Sequence, residues 1–278
     1  TKTSLDSYVS VLMMENKVVT KKVLERAGIS VPGGYEYTSP EAGMADYRMY
    51  AGKPVVIKPK STNFGLGITI LKHNYDETDF KGALQIAFEH DNTLLIEKFI
   101  PGREFRIFII NDEVVGILHR VPANVTGDGV LNIGQLIDRK NEDPLRGKGY
   151  RTPLEKIRKG REEEMFLKQQ GMDFNTVPKE GEVVYLRENS NISTGGDSID
   201  FTDDIDDSYK AIAVEAAKAL NVKITGLDMM IQDIHAPATP DNYAIIEMNF
   251  NPAIHIHCYP FKGKNRHLNH KMIRALGF

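Results

Sequence analysis

Short apolar runs separated by turn chemistry constrain this chain more than any other feature. Val55-Val56-Ile57-Lys58, Ile68-Thr69-Ile70-Leu71, Leu94 to Lys98, Val183 to Leu186, Thr225 to Ile231 and Tyr243 to Met248 have the length and composition of strands. Glu104 to Val121 reads as two strands around a turn at Asn111-Asp112-Glu113. Helical patterns alternate with them. Val19, Val23, Leu24 and Ala27 recur at helical spacing before a stop at Gly28 and Pro32. Phe80, Ala83, Leu84 and Ala87 mark a second helix, Ile133, Leu136 and Ile137 begin another, and Tyr209, Ile212, Ala213, Ala216, Ala217 and Leu220 give the most regular pattern. The loop Ser61-Thr62-Asn63-Phe64-Gly65-Leu66-Gly67 joins the first two strands into a hairpin. Residues 141–182 are polar and punctuated by glycine and proline, which predicts an irregular insertion around a charged helix near Arg161 to Gln170. The expected fold is α+β with largely antiparallel sheets, divided near residue 95 into a smaller lobe, 1–95, and a larger one, 96–278.

A chain of 278 residues has room for two such lobes. Its 35 basic and 38 acidic residues leave a net charge of −3, which excludes a nucleic-acid or membrane-surface binder working through overall positive charge. The single cysteine, Cys258, excludes an intramolecular disulfide and a multi-cysteine zinc site, and suits a cytoplasmic protein. No apolar run approaches the length of a membrane span. The chain carries no G-x-x-x-x-G-K-[ST] loop, no H-R-D or D-F-G pair and no H-E-x-x-H, so nucleotide handling would need a scaffold other than the Walker or protein-kinase type.

Several polar residues nonetheless stand where phosphate chemistry needs them. Lys58 closes an apolar strand just before the glycine loop, where an ammonium can bridge phosphate groups and Gly65 and Gly67 let backbone N–H groups approach an anion; an edge lysine in an ordinary hairpin fits the same pattern. Glu97 and Lys98 end another strand on opposite faces, either as groups that read a purine edge or as a surface ion pair. Asp228 and Glu247 sit within apolar strands, where carboxylates are costly unless paired or bound to metal. Glu247 and Asn249 share a strand face, so the three offer a hard oxygen set suited to Mg²⁺, with a structural ion pair as the alternative.

The order Lys17, Lys58 with its loop, Glu97-Lys98, Glu104, Asp228, then Glu247-x-Asn249-x-Asn251-Pro252 resembles the ATP-grasp superfamily, in which two lobes clasp ATP. The resemblance runs from about Met13 to Pro252. It implies that Lys17, Lys58, Ser61, Gly65 and Gly67 hold phosphates, that Glu97, Lys98 and Glu104 contact adenine and ribose, and that Asp228, Glu247 and Asn249 bind Mg²⁺, or Mn²⁺ in its place. The segments Arg120 to Gly129 and Asn191 to Asp200 look like a subgroup containing cyanophycin synthetases and the glutathione synthetase module of bacterial bifunctional enzymes. The tail Asn249 to Pro260 is most similar to the glutathione module.

That resemblance implies an ATP-dependent carboxylate–amine ligase working through an acylphosphate, with ATP, γ-glutamylcysteine and glycine as substrates. Alternatives are another amino-acid ligase of the cyanophycin type, and an ATP-binding kinase or regulatory module. Arg120 is the candidate contact for the transferred phosphoryl group. Asn191, Gly195 and Gly196 are candidates to receive a carboxylate or oxyanion through the N–H groups and hydroxyls of their loop, with Arg187 nearby. The chain opens on Thr1 with only a short lead-in to Lys17. With the resemblance, this suggests a module fused to a glutamate–cysteine ligase domain, with neither nucleic acid nor membrane as a partner.

Two other clusters are read more plainly. An extended tail would put His255 and His257 on one face beside Cys258, too few ligands for zinc. The six aspartates from Asp197 to Asp207 are expected to cap the helix that follows.

Overall fold

The computed structural model describes residues 3–62, 66–72 and 74–278. They fall into two compact units. One comprises the described residues of Thr1–Arg103 with Ile107–Val114 and Ile205–Pro252; the other comprises Glu104–Arg106, Val115–Asp204 and Ala253–Phe278. The strands Arg103–Ile110 and Glu113–Val121 contribute residues to both. Asn111 and Asp112 turn the chain between them with positive φ values of 49° and 65°, a conformation these short polar side chains tolerate.

In the first unit an antiparallel sheet runs in the order Gly34–Tyr37, Leu94–Lys98, Val55–Pro59, Thr69–Leu71. The expected hairpin is therefore present. The helix Glu77–Phe88 packs its Phe80, Ala83, Leu84 and Ala87 against Ile57, Leu94 and Ile96. Asp76 and Asp79 fix its start by a reciprocal capping box. Phe80 is fully buried against the rings of Tyr47, Tyr50 and Tyr75.

The same unit holds the antiparallel pair Ile224–Ile231 and Tyr243–Asn249, with the helices Tyr8–Glu15 and Lys17–Arg26 packed on the second strand. The pairing runs Gly226↔Asn249, Leu227↔Met248 and Asp228↔Glu247, then shifts to Met229↔Ile245. Ile246 is thus an extra residue, a bulge that changes the phase of alternation along the strand. Ile245 and Met248 both face the buried side with Met229 and Leu227, while Glu247 and Asn249 face the other side with Asp228.

In the second unit Asp197–Asp200 pairs with Leu118 to Val121, and Val183–Tyr185 pairs with Asn124–Thr126. The stretch expected to be an irregular insertion contains the helix Arg161–Gln169 and a small parallel pair, Arg146–Gly147 with Leu154–Glu155. Its Ile157 and Leu167 share a core with Val125, Ile133, Leu136, Ile137 and Leu186, so this stretch is anchored in the core of the unit.

Two expectations need correction. His255–Cys258 is a helical turn, not an extended segment, with Cys258 N–H bonded to Ile254 O and Tyr259 N–H to His255 O. Alternating residues there do not share a face. Of the aspartate run, Asp206 caps the helix Asp207–Ala219, but Asp197, Asp200 and Asp203 are ion-pair partners of Arg146, Arg266 and Lys264. The helices Tyr8–Glu15 and Leu268–Ala275 and the strand Gly34–Tyr37 were not anticipated.

Candidate functional site

Most of the expected nucleotide and metal residues lie in the first unit: Lys17, Lys58, Ser61, Gly67, Glu97, Lys98, Asp228, Glu247 and Asn249. Gly65 lies outside the described residues. Glu104, Arg120, Asn191, Gly195 and Gly196 lie in the second unit.

Glu97 is the electrostatic centre of the first group. It is 3% exposed on the strand Leu94–Lys98, directly opposite Val56, which puts it diagonal to Lys58 on one sheet face. Lys58 Nζ lies 2.8 Å from one carboxylate oxygen and Lys21 Nζ 3.0 Å from the other. Burial alone would raise the Glu97 pKa, but Lys58 and Lys21 outweigh it and hold the carboxyl below its ordinary value.

Lys17 opens the helix Lys17–Arg26, whose cap is Asn16. Its ammonium donates to Thr62 O at 2.7 Å and lies 3.9 Å from a Glu247 oxygen. Burial lowers the Lys17 pKa, and the charge of Lys58 adds to that against the pull of Glu247. Ser61 is committed locally, since its N–H and hydroxyl both bond Asp91, at 2.7 and 2.6 Å. Gly67 has a φ of 72° beside Pro59 and His90. The Lys98 side chain is exposed, and its N–H bonds Gly33 O at 2.8 Å.

The donor set expected for a divalent cation survives a chemical test. Asp228, 2% exposed, faces Glu247 across the strand pair, and two like charges so opposed are unfavourable without a cation between or beside them. Asn249 follows on the same face, and its buried Nδ2 has no hydrogen-bond partner. Turning that amide over would place an oxygen there, able to coordinate a metal through a lone pair. Two carboxylates and an amide oxygen suit a hard divalent ion. Among the described residues no three His, Cys, Asp or Glu side chains cluster as a metal site, in keeping with a set that has only two acids.

In the second unit Arg120 is ion-paired with Glu104, which also accepts from Ser190 Oγ at 2.9 Å. The Asn191–Gly196 loop winds through a short helical turn, Ile192–Thr194. Gly195 follows with a φ of 93°, and a Cβ there would stand 2.8 Å from Ile157 Cα. A Cβ on Gly196 would meet two backbone oxygens, of Asn191 and Val121, at 2.8 Å each. The loop uses its own amides. Gly195 N–H donates to Ile192 O and Gly196 N–H to Asn191 O, which corrects the expectation that these two groups are offered to an anion. Arg187 is likewise committed, to Glu162 and Glu163.

Beneath this loop lies a network the sequence did not suggest. Arg146, its side chain fully buried, bonds Glu155 O, Gly195 O and the Asp197 carboxylate. Lys140 holds the other Asp197 oxygen at 2.7 Å. Lys21, too, was missed, although its place one turn after Lys17 on the same helix face was a readable signal.

Residues 14–139 match the family model of the RimK-like ATP-grasp domain. The chain has the α+β ATP-grasp fold. It is 62% identical over 277 residues to the glutathione biosynthesis bifunctional protein GshAB of Desulfotalea psychrophila, covering all of this chain and 36% of that protein. It is 55% identical to the GshAB of Clostridium perfringens, covering 99% of this chain and 36% of that one. A crystal structure of a bifunctional glutathione synthetase from Pasteurella multocida superposes with a TM-score of 0.75 at 48% identity, covering 98% of this chain and 38% of that chain. The chain thus spans little more than a third of the length of these relatives.

Proposed function

We propose that this chain is an ATP-dependent carboxylate–amine ligase that joins γ-glutamylcysteine and glycine to give glutathione, ADP and phosphate. The observation that carries the reading is the face shared by Asp228, Glu247 and Asn249, with Lys17 Nζ 3.9 Å from Glu247. Similarity of all of this chain to about a third of proteins named for glutathione biosynthesis supports the choice of substrates. The reading includes the lobes 1–95 and 96–278, a fused glutamate–cysteine ligase domain and a cytoplasmic location; among the described residues no helix is long and apolar enough to cross a membrane.

The chemistry asks the protein to align reactants and neutralise charge. A substrate carboxylate oxygen attacks the γ-phosphorus of ATP, the bond to the β–γ bridging oxygen breaks, and ADP leaves. The glycine amine then attacks the acyl carbon, loses a proton and expels phosphate. Lys17 and Lys58 hold phosphate oxygens, and Glu97 and Lys98, with Glu104, take the adenine and ribose. Asp228, Glu247 and Asn249 hold a divalent ion, Mg²⁺ in this reading, which supplies charge neutralisation at the phosphates. Arg120, steered by Glu104, meets the transferred phosphoryl group. In the Asn191–Gly196 loop the Ser193 hydroxyl serves as a donor for a substrate carboxylate, with Asn191 beside it and Gly195 and Gly196 giving the loop its shape.

A coupled ADP-release assay tests this. ADP release that needs both γ-glutamylcysteine and glycine, with glutathione appearing in step, is the expected result. ADP release with neither present would replace the ligase with an ATPase or kinase, and release with other acid–amine pairs alone would move the substrate assignment.

A further inference from the structure

We infer that Lys21 is a positioning residue for nucleotide: it holds one oxygen of Glu97, so that the charge of Lys58 on the other oxygen stays available to an anion. The inference rests on the proposed role of Lys58 at phosphate.

The geometry is a buried carboxylate shared by two cations. Lys21 Nζ lies 3.0 Å from Oε1 of Glu97 and Lys58 Nζ 2.8 Å from Oε2. The three side chains are 13%, 12% and 4% exposed for Lys21, Lys58 and Glu97, so solvent screens them weakly. Two lysines and one glutamate sum to a charge of +1. Without Lys21 the sum is zero, and Glu97 closes on Lys58 alone. An arriving phosphate would then compete for Lys58 against a carboxylate with no other cation, in surroundings where each ion pair is strong.

The sequence spacing fits this role. Lys17 and Lys21 lie four residues apart on one helix, and like charges at that spacing repel. The fold tolerates them by giving each its own acid, Glu247 for Lys17 and Glu97 for Lys21. Lys21 thus faces the sheet that carries Lys58 and does not itself need to reach the ligand.

A double-mutant cycle on MgATP affinity, measured by calorimetry on this chain, tests the inference. Lys21→Met is expected to weaken MgATP about tenfold, Lys21→Arg to restore most of it, and Lys21→Met in a Glu97→Gln background to cost less than about twofold, because the acid it holds is gone. An equal cost of Lys21→Met in both backgrounds would overturn it, as would affinity unchanged by Lys21→Met while Lys58→Met binds at least about tenfold more weakly. Unchanged affinity in Lys58→Met as well would sink the nucleotide reading itself. Lys21→Gln, with thermal unfolding recorded in parallel, replaces the methionine variant if that one fails to fold.

Discussion

Two buried carboxylates, each held by two cations, sit in different units and are built for different ends. Asp197 takes Arg146 on one oxygen and Lys140 on the other. Lys140 has spent its three donors, on Asp197, Asn124 O and Asn124 Oδ1, and Arg146 bonds two backbone carbonyls besides. Both cations also stand over the ring of Phe261. Around Glu97 the same inventory is left open. Among the described residues Lys21 and Lys58 bond only Glu97, and an ammonium has three donors. Backbone partners turn a charge triad into a rivet, and spare donors leave it ready for a ligand.

The largest effect expected separates the two. Arg146→Ala leaves Asp197 half-paired and Gly195 O unbonded beneath the loop, and should cost about 3–5 kcal/mol in denaturant unfolding. A loss under about 1 kcal/mol would erase the distinction. Next, Glu247→Gln should reduce metal-dependent turnover about a hundredfold while leaving the unfolding midpoint nearly unchanged. Near-wild-type turnover would mean that the acid pair binds no catalytic ion.

Acid should find the two units at different pH. His257, fully buried and further opposed by Arg106, has a pKa pushed down to about 3. Between that value and the unfolded value near 6.5 the unfolded chain binds the extra proton, so stability falls as pH drops through this window and is flat above it. Glu97 has a folded pKa below its unfolded one, so its contribution is full above roughly pH 4.5 and is lost only as pH falls further. His257→Asn should flatten the stability profile between about pH 5 and 6.5, and Glu97→Gln should flatten it only below about pH 4.5. A single shared slope in both variants would refute the assignment. The smallest effect belongs to a surface pair: Lys159→Ala, which removes the exposed contact with Asp138, should change stability by less than about 0.5 kcal/mol.

What the sequence made legible was mostly local. Lys58 at a strand end, Glu247 and Asn249 on one face and the helix of Tyr209 and Ala213 follow from periodicity, because those side chains sit where their own strand or helix puts them. Partners far along the chain were not legible: Arg146 and Asp197 are 51 residues apart, and Lys21 and Glu97 are 76 apart. Nor does a glycine announce where its N–H points, which is why the amides of Gly195 and Gly196 were misjudged. The tail misled for a related reason. Ile256, His257 and Cys258 are buried in succession, a pattern in which neither period of alternation is visible.

The extra residue at Ile246 lets Ile245 and Glu247, two apart in sequence, stand on opposite faces of the strand. Deleting it would make Ile245 and Glu247 neighbours in one continuous register, with Asp228 still opposite Glu247 and Met229 still opposite Ile245, so that the acids and the core would both be served. Deleting Met248 instead would make Glu247 and Asn249 neighbours, and regular alternation would then turn them to opposite faces. A one-residue deletion at Ile246 should therefore spare the acid pair, whereas one at Met248 would separate Asn249 from the two acids even though all three remain in the chain.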